Sequence, residues 1–395
     1  MFKYVSIGLL LTTVAANAQD ERNEINESSS SVASLDLSPQ QEIRNEMAQL
    51  LPSLQEKAAK EDPLACFQLA SFYYATAPQD YAAEIVRLYT IAVNSKHIDS
   101  CYILGMAFYE EQLGLKQTDP RLIEYLTMAA NAGHTEAPSY LGLAYLHGLG
   151  APKDINVAIE WLEKAVKLDH VVGLCTYGVL LRTGDEGVET NYLRAKEYFE
   201  KATAKNYAYA MTQLGMMHHL GEGGDVNIPE AVRLYNQAVT AGRSEDPQDQ
   251  ALCNLGVLYL EGKQIEQDID KAQHYLTTAA DWGNVDAQCI LGACLAQGKI
   301  LEKKRYRGLT YLAKAAAHGD EGAKLRLEVE KSLLTVEANE GDKEAQRVLG
   351  ICLMDDKIFE KDMNLGLQYT IMAAQQGDEL ASLMLSKIKS LSLPS

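Results

Sequence analysis

A leucine–glycine pair recurs along this chain of 395 residues at a nearly constant interval. Counted from the first member of each pair, the successive steps are 35, 37, 36, 37, 41, 36 and 58 residues. A period of about 20–50 residues indicates stacked supersecondary units, because no single unit buries its apolar face alone. The pattern therefore predicts a repeat architecture. The slots are occupied by Leu69-Ala70, Leu104-Gly105, Leu141-Gly142, Tyr177-Gly178, Leu214-Gly215, Leu255-Gly256, Leu291-Gly292 and Leu349-Gly350.

Residues 136–170 show most clearly what one repeat contains. From Ala137 to Tyr145, small and apolar residues fall at the spacing of one helix face. A glycine-rich turn follows and ends at Asp154, which is a good N-cap residue. A second set of residues at helical spacing then begins at Ala158. The spacing predicts a helix–turn–helix unit of about 36 residues.

An Asp or Asn stands four residues before the leading small residue of most second helices, where it is suited to cap the helix N-terminus. The capping signal and the repeat period agree, so the sequence predicts a helical pair in each repeat. The predicted N-caps are Asp154, Asn191, Asn227, Asp268 and Asp362.

Residues 136–170 resemble the Sel-one-like repeat family, whose pattern is small-x3-Leu-Gly-x2-Tyr, then Gly-x-Gly and Asp, then Lys-Ala-x2-Trp-x-x-Lys-Ala-Ala-x-x-Gly. The resemblance extends roughly over residues 62–378 and implies an all-α fold, a right-handed α-solenoid superhelix of stacked helix–turn–helix repeats. A plain tetratricopeptide array is the nearest alternative, but its 34-residue period and short turn fit less well. The family resemblance also implies work as a protein–protein adaptor.

Five segments are predicted along the chain. Residues 1–18 are a signal peptide, residues 19–37 a disordered leader and residues 38–61 an N-terminal helix. Residues 62–378 form the solenoid, with about eight repeats and one shortened copy. Residues 379–395 provide a capping helix and tail, since a terminal repeat needs a cap.

The N-terminus has the three parts of a secretory signal peptide. Lys3 supplies a positive charge, Val5–Val14 is an apolar run, and Ala16-Asn17-Ala18 is a cleavage motif. The run is too short for an ordinary transmembrane span, so no integral membrane span is expected. The mature chain is predicted to begin near Gln19 and to be exported by a bacterium to the periplasm, or further to the surface or medium.

Two steps depart from the regular period. The 41-residue step places about five extra residues in Gly242–Asp249, which predicts a longer surface loop. The 58-residue step contains the shortened copy and predicts one long helix near Gly322–Asn339, or two abutting short ones. That copy is either a decayed repeat or a change in the direction of the superhelix.

The chain is strongly acidic, with a formal net charge of −18 at pH 7. Loss of Lys3 with the signal peptide would make it more negative still. Such a charge repels phosphate backbones, and no basic stripe offsets it, so nucleic-acid binding is not expected. The charge permits a basic protein partner. We expect a monomer.

All seven cysteines fall in predicted first helices. Those at equivalent positions of consecutive repeats, such as Cys66 and Cys101, should be about 8–10 Å apart. That distance exceeds the Cα separation of roughly 7 Å that a disulfide allows. The cysteines are therefore predicted to be mostly buried, unpaired thiols.

No motif for catalysis, metal binding or cofactor binding emerges. His218 and His219 are adjacent rather than at metal-ligand spacing, and His218 falls in a core slot. A Ser-x-x-Lys motif at Ser386–Lys389 lacks its companion motifs. We therefore expect no catalytic residue, no metal site and no cofactor.

A partner surface is predicted on the first helices, which usually line the concave face of such solenoids. Positions two before, two after and five after each Leu slot point away from the packing face of their own repeat. Each of them has the alternative role of packing against the next repeat. Glu at both Tyr102 and Tyr109 is expected to abolish binding without unfolding. The candidate partner-binding residues are Tyr74, Tyr102, Met106, Tyr109, Tyr140, Leu143, Arg182, Met216 and His219.

Two functions from different classes remain open. The leading hypothesis is an exported, non-enzymatic scaffold that binds a bacterial envelope protein or a host protein, in envelope regulation or in host interaction and virulence. The alternative is an envelope protein that binds or hydrolyses peptidoglycan or a β-lactam. The alternative needs a nucleophile and base in one pocket, or a glycan-binding groove.

Overall fold

The computed structural model describes residues 50–242, 248–355 and 357–392. The predicted signal peptide, the leader and the first part of the N-terminal helix lie outside the described residues. Within the described ranges every regular element is helical and no strand occurs. The all-α prediction is confirmed.

The chain forms two compact units, which divide between Lys205 and Asn206. The described part of the N-terminal unit begins with α1, which covers residues 50–59. Four helix pairs follow, and short 3₁₀ turns lie at Gln112–Gly114 and Asp185–Gly187. The pairs are α2 (Pro63–Thr76) with α3 (Ala82–Asn94), α4 (Ile98–Tyr109) with α5 (Arg121–Asn131), α6 (Ala137–His147) with α7 (Ile155–Lys167), and α8 (Val171–Thr183) with α9 (Tyr192–Ala204).

The C-terminal unit contains three regular pairs, a single long helix, a fourth pair and a final helix. The regular pairs are α10 (Ala208–Leu220) with α11 (Ile228–Ala241), α12 (Asp249–Glu261) with α13 (Ile269–Asp281), and α14 (Val285–Gln297) with α15 (Arg305–Ala317). The remaining helices are α16 (Glu321–Asn339), the pair α17 (Lys343–Met354) and α18 (Met363–Gln375), and the final α19 (Glu379–Ser392).

The Leu-Gly slot is where the two helices of a pair approach each other most closely. A Cβ added at Gly142 of α6 would lie 2.6 Å from Cδ2 of Leu162 on α7. In the α14–α15 pair the contact is between backbones: a Cβ at Gly292 would lie 2.9 Å from the carbonyl oxygen of Gly308. Because real Cβ atoms do not approach other atoms this closely, the glycine is needed for the observed packing.

The predicted N-caps of the second helices are confirmed. The side chain of Asp154 accepts hydrogen bonds from the backbone N–H groups of Asn156 and Val157 at the start of α7. Each of the other four accepts a backbone N–H three residues ahead. A side-chain cap satisfies a donor that the first turn of the helix leaves without a partner, and so fixes where each second helix begins.

The shortened copy is one continuous helix, α16, which is the first of the two predicted alternatives. It packs on α15 and α17, and Leu327 and Leu334 are buried on its inner face. A buried guanidinium, that of Arg305 at the start of α15, forms ion pairs with Glu330 at 3.5 Å and with Glu337. A buried charge requires partners, and both partners of Arg305 are carboxylates of α16. These ion pairs therefore fix the position of α16 against α15.

All seven cysteines are unpaired in the structure, and all lie on first helices as predicted. Five are buried, while Cys289 and Cys294 are half-buried. Burial raises the pKa of Cys253 and of Cys352 to about 12, so both thiols are neutral at physiological pH. They act as small apolar core residues.

None of the helices in the described ranges is long and apolar enough to cross a membrane.

Gly308→Ala tests the close approach of α14 and α15. A methyl group at this position would lie 2.6 Å from the Gly292 carbonyl oxygen and 2.6 Å from the Ala296 amide nitrogen, and neither backbone atom can move away alone. We expect a loss of about 1–3 kcal/mol in the free energy of unfolding, measured by urea denaturation.

Gly322→Ala is the matched control, since Gly322 is an exposed glycine within α16. Its alanine variant should stay within about 1 kcal/mol of the wild type, because the higher helix propensity of alanine offsets the 3.2 Å contact of the new Cβ with Oδ1 of Asp320, a side chain rather than backbone. Equal stability of the Gly308→Ala variant and the wild type would contradict the packing argument.

Candidate functional site

The predicted partner-binding residues divide between the two units. Seven lie in the N-terminal unit, on α2, α4, α6 and α8, while Met216 and His219 lie on α10 of the C-terminal unit. In the N-terminal unit the structure builds one cluster from three consecutive first helices. The rings of Tyr102 and Tyr109 on α4 pack against that of Tyr140 on α6, and Tyr74 on α2 joins them through its hydrogen bond to Gln112 and its proximity to Glu110.

Tyr102 is an internal residue of this cluster rather than a surface residue. Its side chain is 6% exposed, its ring stacks on His134 with centroids 3.8 Å apart, and its hydroxyl donates a hydrogen bond to Glu136 Oε2 at 2.5 Å. Its ring also lies 6.2 Å from that of Tyr140 on the next first helix. Burial, followed by the bond to Glu136, raises the pKa of Tyr102 well above its ordinary value.

The position two residues before the Leu slot is also buried in the next four repeats, at Ser139, Cys175, Thr212 and Cys253, and half-buried in the last two, at Cys289 and Arg347. It therefore packs between consecutive repeats and does not face a partner. This corrects the prediction for Tyr102: a glutamate there would place a charge inside the unit. Such a substitution is expected to destabilise the fold, so it cannot test binding.

The prediction that Met106 faces a partner also needs correction, because only 2% of the residue's surface is exposed. It lies two residues after the Leu slot of α4, in the apolar core of the N-terminal unit. The equivalent Leu143 of α6 and Met216 of α10 are half-buried, as are Arg182 and His219. Burial lowers the pKa of His219. These residues retain some accessible surface, each within its own unit.

The accessible part of the cluster is named here the tyrosine face and comprises Tyr74, Tyr109, Tyr140, Glu110 and Gln112. The three tyrosines are half-buried, and the Tyr109 and Tyr140 rings meet edge to face with centroids 5.5 Å apart. Tyr74 donates its hydroxyl hydrogen to Gln112 Oε1, and Gln112 Nε2 donates to Glu110 Oε2 at 2.5 Å. This chain of hydrogen bonds links the helix α2 to the turn after α4.

The electrostatics of the tyrosine face combine neutral hydroxyls with a carboxylate. Burial and the nearby Glu110 raise the pKa of Tyr74 to about 12. Burial and the carboxylates of Glu136 and Glu110 raise the pKa of Tyr140 to about 12. Burial also raises the pKa of Glu110. The phenols therefore stay protonated, and a cation placed at this face would stabilise the ionised carboxylate.

Several residues of the cluster were missed at the sequence level. Glu110 and Gln112 follow α4 in a turn, and His134 and Glu136 precede α6. The repeat pattern singles out accessible positions on first helices and does not extend to the turns that flank them. One signal was available: a Glu or Gln directly after an aromatic helix end, as in the run from Tyr109 to Gln112.

Two histidines are held in the neutral form beside the cluster. His134 stacks on Tyr102, and Nδ1 of His170 lies 2.7 Å from the hydroxyl oxygen of Ser139. Burial lowers the pKa of both imidazoles. Nothing in these pairings requires a metal. Among the described residues, no group of three or more His, Cys, Asp or Glu side chains is placed to hold a metal ion.

The helix pairs, their close-packed glycine slots and their capped second helices define an α-solenoid repeat protein. The family model of the Sel1 repeat matches seven segments that together cover more than half of the chain, so the chain belongs to the Sel1 repeat family, whose members serve as protein–protein interaction scaffolds. The resemblance noted in the sequence is confirmed. The matched segments are residues 98–134, 136–170, 173–207, 208–242, 249–284, 285–320 and 343–378.

Two parts of the fold lie outside the matched segments. The pair α2–α3 precedes the first matched segment and forms a helix pair of the same kind. The single helix α16 lies between the last two segments.

Two curated relatives illustrate the range of the family. The chain is 27% identical to the chitin synthase regulator SKT5 of Saccharomyces cerevisiae, over 51% of this chain and 30% of that protein. It is 27% identical to cytochrome c oxidase assembly factor 7 of Xenopus tropicalis, over 35% of this chain and 62% of that protein. The chain thus spans less than two thirds of the length of either relative. Their names describe a regulator and an assembly factor.

Two solved structures share the fold. The Sel1 repeat protein from Oxalobacter formigenes aligns with a TM-score of 0.55 and 27% identity, over 63% of this chain and 98% of that one. A protective antigen of uropathogenic Escherichia coli strains that displays an SLR fold aligns with a TM-score of 0.50 and 22% identity, over 86% of this chain and 82% of that one.

The lowered pKa of His170 in the fold predicts that the free energy of unfolding depends on pH. Its pKa is lowered in the fold from the ordinary value of 6.5, so the unfolded chain binds its proton more readily. Stability should therefore fall as the pH drops below about 6.5, until the folded-state pKa is reached. His134 acts in the same direction, while the raised pKa of Glu110 acts in the opposite direction at lower pH.

The measurement compares melting temperatures at pH 7.5 and pH 5.5. His170→Gln should lose less stability between these two values than the wild type does. His147, an exposed histidine at the end of α6, provides the control, and His147→Gln should keep the wild-type loss. An identical loss in the His170→Gln variant and the wild type would refute this account of His170.

Proposed function

We propose that this chain is an exported, non-enzymatic scaffold that binds a protein partner through the tyrosine face of its N-terminal unit. The observation that carries the proposal is the convergence of Tyr74, Tyr109 and Tyr140 with Glu110 from three consecutive helix pairs. The names of the two relatives, a regulator and an assembly factor, agree with a function that acts on other proteins.

Tyrosine suits such a surface for a physical reason. Each ring offers a large contact area, and it has few rotatable bonds to immobilise on binding. The rings of Tyr109 and Tyr140 already pack against each other, and the Tyr74 hydroxyl is already held by Gln112. A partner therefore meets a surface ordered in advance, which reduces the entropic cost of association.

The chemistry of the face favours a basic side chain on the partner. A lysine or arginine at this point would pair with the Glu110 carboxylate and lie against the faces of tyrosine rings, which attract cations. Glu111 adjoins Glu110 and is exposed, so it extends the negative edge of the face. The overall charge of −18 adds long-range attraction for a basic partner.

Export is proposed from the sequence of residues 1–18, which lie outside the described residues. The order of Lys3, the apolar run Val5–Val14 and the motif Ala16-Asn17-Ala18 supports cleavage before Gln19. The partner is then a bacterial envelope protein or, if the chain leaves the cell surface, a host protein. Roles in envelope regulation and in virulence both belong to this proposal.

The double variant Glu110→Lys/Glu111→Lys tests the partner surface. It reverses the charge at the edge of the tyrosine face without changing a buried apolar residue. We expect the affinity for the partner isolated by in-cell crosslinking to fall about tenfold or more, because the partner's basic group would meet like charge. The dissociation constant is measured by surface plasmon resonance at two salt concentrations.

The control for this experiment is Glu160→Lys/Glu200→Lys, which makes the same change in net charge on the exposed surface of α7 and α9. The affinity of this control for the partner should stay within about twofold of the wild-type affinity, because the control reduces only the long-range attraction. If both double variants weaken binding equally, net charge rather than the tyrosine face governs the association, and the proposed surface is wrong.

Export has its own test. The tagged protein should be recovered outside the cytoplasm with Gln19 as its first residue, as determined by N-terminal sequencing. Ala18→Glu removes the small residue that the cleavage motif requires and should leave the protein unprocessed. Recovery of the full-length wild-type chain in the cytoplasm would contradict the export proposal.

A further inference from the structure

A row of exposed aliphatic residues runs along the long helix α16, on the side away from its buried face. It comprises Leu325, Val329, Leu333 and Val336, which are between 47% and 68% exposed, and we name it the α16 stripe. The spacing of four, four and three residues keeps all four on one side of a helix, over about 16 Å. The other side already packs on α15 and α17. A helix that is apolar on two sides calls for a neighbour on each of them.

The positions of the stripe are covered in the regular repeats. Leu327 occupies the Leu slot of the shortened copy, 36 residues after Leu291. Leu325 therefore lies two residues before the slot, and Val329 lies two residues after it. In every regular repeat both of these positions are buried or half-buried. In the shortened copy a single helix takes the place of a pair, and the same positions are exposed. A packed helix is thus the neighbour that fits the stripe.

The size of the stripe suits a weak, reversible association. Its four side chains expose roughly 400 Å² of apolar surface, and exposed patches of this size commonly mark interaction sites. Two such stripes facing each other would bury about 800 Å², and their polar flanks bring the total toward the roughly 1,200 Å² at which specific interfaces begin. The area therefore accounts for a dimer of micromolar affinity.

The charges beside the stripe are self-complementary. Arg326 and Glu337 lie on the same flank of the stripe, at nearly equal distances from its centre. If two copies of α16 pack antiparallel about a two-fold axis, Arg326 of each copy lies beside Glu337 of the other. Glu337 also pairs with Arg305, yet its side chain remains 39% exposed and can accept a second cation. The two-fold axis thus gives each interfacial charge a partner of opposite sign.

The apolar residues also match in this arrangement. The same axis places Leu325 opposite Val336 and Val329 opposite Leu333, so that each leucine meets a smaller valine. The net charge of −18 opposes the approach of two copies at long range. The helix itself is nearly neutral, with four acidic and three basic residues, so the repulsion at the contact is small.

We propose that the α16 stripe binds the same stripe of a second copy of this chain, in an antiparallel pair related by a two-fold axis. The chain is then a weak dimer rather than the monomer expected from the sequence. The interface uses no residue of the tyrosine face, so this proposal stands independently of the proposed partner surface.

Sedimentation equilibrium of the chain purified from the producing cell tests the proposal. We expect a monomer–dimer equilibrium with a dissociation constant in the micromolar range. Val329→Lys/Leu333→Lys should weaken dimerisation at least about tenfold, because each copy would bring two charges into an apolar contact. The substitutions make the net charge less negative, so the weakening cannot come from added long-range repulsion.

The matched control is Leu220→Lys/Val226→Lys. It replaces the same two residue types, which are exposed to a similar degree in the same unit but lie outside α16, and it makes the same change in net charge. This control should dimerise at least as well as the wild type. Circular dichroism at low protein concentration checks that each variant is folded. If the stripe variant does not fold, Leu325→Ser/Val336→Ser takes its place at the two ends of the stripe.

Salt separates an apolar interface from a charge-driven one. At about 0.5 M NaCl the dimer should persist or strengthen, because salt screens the repulsion between two acidic chains and leaves the apolar contact intact. Dissociation at this salt concentration would contradict the proposal.

Three further results would overturn the proposal. A wild type that is monomeric up to about 200 μM would show that the contact is too weak for even the smallest specific interfaces. Equal dimerisation of the stripe variant and the wild type would place the interface elsewhere. A photoreactive benzoyl-phenylalanine at Val329 that captures a different protein, with no adduct between two copies, would assign the stripe to that protein. The Glu110→Lys/Glu111→Lys variant should still dimerise, so failure of this interface and failure of the tyrosine face are distinguishable.

Discussion

The close approach of two helices at each Leu-Gly slot is the contact on which the remaining structure depends. In α14 and α15 the approach is backbone to backbone, with Gly292 and Gly308 facing each other. In other pairs a leucine or aromatic side chain of the second helix packs against the glycine of the slot, as Leu162 packs against Gly142. Because the slot fixes the distance within a pair, it also fixes where the next first helix must pack. The same geometry, repeated, determines which side chains face outward.

The tyrosine face follows from this arrangement. The tyrosines of α4 and α6 contact one another, and the turn after α4 joins Tyr74 of α2 to them through Gln112 and Glu110. Inside the cluster, Tyr102 joins α4 to the α6 repeat through Glu136 and Tyr140. The surface is rigid because its base belongs to the core of the N-terminal unit. A repeat fold thus builds the proposed binding surface next to residues that hold adjacent repeats together.

Much of the fold could be predicted from the sequence, since the helix pairs depend on local signals. The Leu-Gly period located the first helices, and Asp154 and its counterparts located the starts of the second helices. The roles of Tyr102 and Met106 could not be predicted in this way. An aromatic or apolar residue at a given position of a first helix can either contact a partner or pack between repeats. The tertiary packing, which the local sequence does not determine, decides which of the two it does.

The central claim is that a partner protein contacts the tyrosine face, and a site-specific photocrosslink tests it most directly. A photoreactive benzoyl-phenylalanine replaces Tyr109 in the producing cell, and a second variant carries it at Leu193, an exposed position on α9. After irradiation, adducts are identified by mass spectrometry. We expect one discrete protein adduct from position 109 and none of the same mass from position 193. The same adduct from position 193 alone, with none from position 109, would contradict it.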